Sequence, residues 1–182
     1  MAYGKWHQGK YQLINPKKYI GDPTNVVFRS SWERILMKFL DENENILKWQ
    51  SEEQEIPYWS PVDSRMHRYI LDFAFWSNTA DGIKKFMVEV KPKKETVEPK
   101  RGPSESEYTF QERCKTWLIN KAKWTAAIEV AKQDGSQFII LTEDHIMPNH
   151  NAIKAYKHPK PKVKTNGNVS RRETVKKAKQ RQ

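Results

Sequence analysis

The chain has 182 residues and a formal net charge of +11, which suits one domain with a terminal extension. Its only cysteine, Cys114, excludes an internal disulfide framework and a Cys-cluster zinc site, and no apolar run is long enough to span a bilayer. The polar start MAYGKWHQGK is unlike a secretory signal, so a soluble intracellular protein is expected.

Residues 1–28 are rich in Tyr, Trp, Asn, Pro and Lys and show no sustained period. They read as an arm lying on the domain or on a partner. The aromatic residues Tyr3, Trp6, Tyr11 and Tyr19 suit stacking on bases or fastening the arm to its own domain, with the second favoured. A helix is expected over 31–42. There Trp32, Ile35, Leu36, Phe39 and Leu40 recur at helical spacing and predict one buried face. Ser30 precedes it as N-cap, with Glu33 three residues on as the second half of a capping box.

Short strands are expected over 46–50 and 54–59, followed by the longest strand, 66–76. The segment SNTADG, 77–82, has turn chemistry, and 84–91 is the next strand. Residues 92–107 hold three prolines and read as a long, mobile loop. A helical stretch, in one piece or two, follows from 108 to about 134 and ends at Gly135, with Trp117, Lys121, Trp124 and Ile128 on one side. FIILT, 138–142, reads as a buried strand. Residues 151–182 hold eleven Lys and Arg against Glu173 alone, so they carry +10 of the excess charge. They contain too little apolar surface for a core and predict a tail that is disordered without a partner. A polyanion is the implied partner, and nucleic acid is the first candidate.

The chemistry concentrates on two neighbouring strands. Asp72 stands alone among apolar residues, which is costly for a carboxylate without a partner or cation. Glu89 stands similarly, and Lys91, two residues on, shares its face. A hairpin folding about Ala80 and Asp81 sets Asp72 opposite Glu89. Like charges so placed repel, so either Mg²⁺ or Lys91 must neutralise them. Two carboxylates, a backbone carbonyl and a lysine suit a hard cation that keeps several waters and activates one against a phosphodiester. The same residues also suit a purely structural ion pair. The five histidines, at 7, 67, 145, 150 and 158, show no ligand spacing. Lys121 and Lys123 suit phosphate contacts or plain solvation.

Asp72 with Glu89-Val90-Lys91 resembles the PD-(D/E)xK nuclease superfamily. The blocks SSWERILMKFLD, RYILDFAF and MVEVKPKK resemble the TnsA-type transposon end-cutting endonucleases. NPKKYIGDPTNVVFRSSWE, VEVKPKKE and NKAKWTAAIEVAKQDGSQFIILTE extend a closer resemblance, over most of 10–145, to the head-completion nucleases of T-even-type phages. In the transposon family the E-x-K glutamate is also found as glutamine; here it is the acid. The lysine-rich tail lies outside the matching part.

The resemblance implies an α/β, restriction-endonuclease-like mixed sheet flanked by helices as the nuclease core (29–150); composition adds an N-terminal arm (1–28) and a basic C-terminal tail (151–182). It implies a Mg²⁺-dependent DNA endonuclease acting in head completion, with Mn²⁺ as substitute. Asp72, Glu89 and the Val90 carbonyl would hold the metal, Lys91 would assist the water, and Glu33 would add a carboxylate from the helix ahead of the sheet. DNA contacts are expected from Lys121, Lys123, Arg171, Arg172, Lys176 and Lys177. Expected partners are DNA and portal or head-completion proteins, with no membrane; the setting is host cytoplasm, with incorporation in the virion possible. Two alternatives stand beside this reading: a non-catalytic DNA-binding protein of the portal vertex, and a transposition or junction endonuclease.

Overall fold

A computed structural model describes residues 8–148. Tyr3, Trp6, His7 and the basic tail with Arg171, Arg172, Lys176 and Lys177 lie outside the described residues. The elements, in order, are β1 (Gly9–Lys10), β2 (Val27–Phe28), α1 (Ser31–Glu42), β3 (Ile46–Ser51), β4 (Glu55–Ser60), β5 (Arg65–Ile70), β6 (Phe73–Thr79), β7 (Gly82–Val90), α2 (Glu107–Asp134), β8 (Gln137–Leu141) and α3 (Glu143–Ile146). The central sheet runs β3-β6-β7-β8. Its first two pairings are antiparallel and the last, β7 with β8, is parallel, so the sheet is mixed. Helices accompany it, and the fold is the α/β, restriction-endonuclease-like arrangement expected. Among the described residues no helix is long and apolar enough to cross a membrane.

One part of the core joins α1 to the sheet through Leu36, Met37, Leu40, Trp49, Phe73 and Val88. A second joins α2 to the strands through Ile56, Tyr58, Tyr69, Leu71, Met87 and Ala127. Residues 8–28 lie against the first part. Tyr11 and Tyr19 both meet Trp49 edge-on, at centroid distances of 6.2 and 4.8 Å. The carboxylate of Asp41, wholly buried, accepts the backbone N–H groups of Ile14 (2.7 Å) and Asn15 (3.0 Å) and the Tyr11 hydroxyl (3.3 Å). Tyr11 and Tyr19 thus fasten the chain to its own core.

That clamp corrects the expected face of α1. Ile35 and Phe39 are 39% and 52% exposed, whereas Met37 and Asp41 are buried. A polar residue occupies a core position because the arm's amides satisfy it, and the buried stripe turns by about one residue. On α2 the same kind of shift occurs: Asn120, Trp124, Ala127 and Ala131 face inward, while Ile128 is exposed. This helix is one piece of 28 residues, capped by the Ser106 hydroxyl and ended by Gly135 at φ +71°.

The expected strand over 66–76 is two strands. β5 pairs with β4 in a separate two-stranded ribbon, and β6 pairs with β3 and β7. The chain changes sheets at Leu71 and Asp72, where the Leu71 N–H reaches the Gln54 carbonyl (2.9 Å) and the Asp72 carbonyl accepts the Glu52 N–H (3.1 Å). Glu52 adopts φ +57°, an uncommon conformation for a residue with a Cβ. The expected turn over 77–82 shrinks to Ala80 and Asp81, with Thr79 directly opposite Gly82. The register is the one the hairpin reading gives, through Phe73 opposite Val88. The strand expected over 138–142 is β8, an edge strand with Gln137 exposed and Phe138, Ile139, Ile140 and Leu141 half-buried rather than buried.

Candidate active site

Three local features bring the polar residues together. The sheet change places Asp72 just before β6, beside the end of β7. The Asp72 carboxylate accepts the Val90 N–H at 2.8 Å, so its side chain ties the strand break to β7. Strand alternation carries Glu89 and Lys91 out on one side, and Lys91 Nζ lies 3.2 Å from Glu89 Oε1. The other Glu89 oxygen, Oε2, accepts the hydroxyl of Tyr69 from β5. Glu89 and Tyr69 are only 2% and 3% exposed.

Two acids and one ammonium leave the cluster with excess negative charge. Burial pushes the Asp72 carboxyl up to about 8, helped by the Glu89 and Glu33 carboxylates and opposed by the Val90 amide and Lys91. Burial alone would weaken the charge on Lys91. Glu89 and Asp72 outweigh it and hold the ammonium above its ordinary range. Burial, followed by the Glu89 charge, keeps the Tyr69 phenol far above the usual tyrosine value, so it stays a donor.

Glu33 stands near enough to act on Asp72 through its charge, yet its carboxylate points into the start of α1. Its oxygens accept the Arg29 N–H at 2.7 Å and the Ser30 hydroxyl at 2.9 Å, while Ser30 Oγ accepts the Glu33 N–H at 3.1 Å. Accordingly, among the described residues no three His, Cys, Asp or Glu side chains converge as a finished metal cage. Asp72, Glu89 and Val90 are gathered; Glu33 is adjacent and turned aside.

The two lysines of α2 behave differently. Lys121 is exposed, with its ammonium 4.9 Å from the Trp117 ring centroid. The ammonium of Lys123 lies over Tyr58 and Tyr69, 5.7 and 5.6 Å from their centroids, behind the residue that holds Glu89. Two participants carry no signal in residue spacing. Tyr69 sits in a strand whose break before Asp72 is invisible in the alternation. Arg29 is exposed and forked onto Glu52, with a 2.9 Å bond from one terminal nitrogen, and the charges of Glu33 and Asp72 act on it.

A mixed sheet with an Asp at a strand break and a Glu-x-Lys at the end of the next strand is the arrangement expected of the PD-(D/E)xK nucleases. Residues 43–143 match the family described as TnsA-like endonuclease N terminal, a span that contains Asp72, Glu89 and Lys91 but not Glu33. The head completion nuclease of Enterobacteria phage T4 is 38% identical over 147 residues, covering 79% of this chain and 93% of its own. The chain belongs to the TnsA-like endonuclease family, with that phage nuclease among its relatives. No solved structure matches it.

Proposed function

We propose that this endonuclease is a Mg²⁺-dependent hydrolase of DNA phosphodiester bonds that works in phage head completion, with Mn²⁺ as an alternative ion. The observation that carries the chemistry is the pairing of Asp72 and Glu89 with one lysine. Burial and mutual repulsion leave this site one positive charge short, which is the condition a hard cation relieves. Asp72, Glu89 and the Val90 carbonyl would hold the ion, whose contribution is to polarise the phosphate and acidify a water. Glu33 would supply a further carboxylate by turning from Arg29 towards Asp72. Lys91, kept charged by Glu89, does not serve as a base. It orients the attacking water and stabilises charge developing on the phosphate.

Lys121 and Lys123, with Arg171, Arg172, Lys176 and Lys177 of the sequence, are assigned to phosphate contacts. Such contacts position DNA without reading its bases, and weak sequence preference follows. The head-completion role rests on the relative named for it. On this reading the enzyme acts in host cytoplasm or in the virion, with portal or head-completion proteins as partners.

The test is supercoiled plasmid incubated with the full-length protein. Nicking is expected with Mg²⁺ or Mn²⁺ and none with EDTA. Ca²⁺ is expected to bind without supporting cutting, because its loose coordination orients the water poorly. Asp72→Asn, Glu89→Gln and Lys91→Ala are each expected to lower the rate about 100-fold or more. Undiminished cutting in EDTA, or in the Asp72→Asn protein, would overturn the assignment.

A further inference from the structure

We propose that Tyr69 is the positioning residue for Glu89: its hydroxyl holds one carboxylate oxygen so that the other is presented beside Lys91 and Asp72. The role rests on the metal-site reading above and deepens it.

Each oxygen of Glu89 has one partner, Tyr69 on Oε2 and Lys91 on Oε1. A carboxylate held at one oxygen by a buried donor cannot rotate freely about its last bond. The identity of the donor matters. A lysine or arginine in this place would cancel the charge that a cation needs. A phenylalanine would leave a buried oxygen without a partner, which is unfavourable. A tyrosine hydroxyl fixes the carboxylate and leaves its charge intact.

The Tyr69 ring is itself held firmly. It pairs in the ladder opposite Ile56 of β4 and packs with Leu71, Met87 and Ala127. The Lys123 ammonium lies on its face, 5.6 Å from the centroid, an arrangement that favours the cation over the ring. This gives the β4–β5 ribbon a purpose the fold alone does not explain. One end of β5 leads through Leu71 into Asp72, and a side chain of the same strand grips Glu89. A single ribbon therefore sets both acids, which keeps their relation constant if the main sheet flexes. Groups that hold metal ligands in this way typically contribute about 10–100-fold to metal affinity.

The experiment is calorimetric titration of Mn²⁺ into EDTA-stripped, dialysed full-length protein. It compares wild type, Tyr69→Phe, Tyr58→Phe and Asp72→Asn, each checked for a cooperative melt. Tyr58 lies under the same lysine without bonding Glu89, so its variant controls for loss of a phenol hydroxyl beneath Lys123. Tyr69→Phe is expected to bind Mn²⁺ about 10–100-fold more weakly, while Tyr58→Phe stays within about twofold of wild type. Plasmid nicking is expected to need correspondingly more Mn²⁺ for half its rate, with most of the rate recovered at saturation. A merely structural role would lower the melting temperature and leave the Mn²⁺ requirement alone. Should Tyr69→Phe fail to fold, ring-labelled tyrosine NMR of the wild type carries the test. The Tyr69 Cζ signal is then expected to move on Mg²⁺ titration and the Tyr58 signal to stay. A folded Tyr69→Phe with wild-type Mn²⁺ affinity, or an unmoved Tyr69 signal in protein that binds Mg²⁺, overturns the role of Tyr69 while the metal site stands. Wild type without Mn²⁺ binding, or Asp72→Asn binding like wild type, overturns the metal site and the role together.

Discussion

The carboxylate of Asp72 accepts the amide proton of Val90 at 2.8 Å, across residues eighteen apart in the chain. The bond continues the contact between the two strands past their last ladder pair, Phe73 with Val88. It also commits one oxygen of Asp72 and places its charge against Glu89, so the strand break and the chemistry of the site are a single feature.

A pH dependence follows for the metal-free protein. The Asp72 carboxyl, ordinarily near 3.8, is pushed up to about 8 in the fold. The folded state then holds a proton that the unfolded chain has released. The resulting stability is present in full below about pH 4 and is lost as pH rises towards 8. In EDTA the melting temperature is expected to fall between pH 5 and pH 8, at about 2–4 °C for each kcal/mol lost. Asp72→Asn keeps an acceptor for the Val90 N–H and should flatten that slope. Equal slopes in both proteins by calorimetry would show that Asp72 does not titrate in this range.

Glu33 can be separated from its cap. Glutamine retains an acceptor for the Arg29 N–H, so Glu33→Gln is expected to melt as wild type does and to nick plasmid at least about 10-fold more slowly. Ser30→Ala removes the cap hydroxyl and is expected to lose about 1 kcal/mol of stability while cutting nearly normally. Wild-type nicking by Glu33→Gln would make Glu33 a capping residue alone.

Asp41 is expected to govern the arm. A buried donor left without its partner costs about 1–3 kcal/mol, and Asp41 accepts from Tyr11, Ile14 and Asn15. Asp41→Ala should cost about 3 kcal/mol or more and speed tryptic cleavage at Lys17 and Lys18. Unchanged cleavage kinetics would mean that the arm is held by the Trp49 contacts instead.

The basic segment 151–182 is expected to supply salt-sensitive affinity. Each phosphate it neutralises adds about 0.9 to the slope of log affinity against log salt for duplex DNA. With about five contacts, truncation after His150 should flatten the slope by about 4–5. Cleavage of short DNA at saturation should survive, since Glu33, Asp72, Glu89 and Lys91 remain. An unchanged slope would point the segment towards an acidic protein surface.

Much of this protein was legible in the residues because it is local. Ser30 with Glu33, Gly135 after the long helical stretch, and Ala80 and Asp81 between alternating strands each act over a few positions. The hairpin register followed from them, and with it the approach of Asp72 to Glu89 and Lys91. Composition alone located the excess charge in the tail. The tertiary structure decided what depends on distant partners. Alternation over 66–76 continues smoothly through Leu71 and Asp72, so the change of sheet is visible only once Gln54, Glu52 and Val90 supply hydrogen bonds. The spacing on α1 gave Ile35 and Phe39 to the inner face, and only the arm's amides, by burying Asp41, turn that face away from them. Tyr69 reads as one more strand aromatic, because a hydroxyl gains a role only from the carboxylate that another strand brings to it.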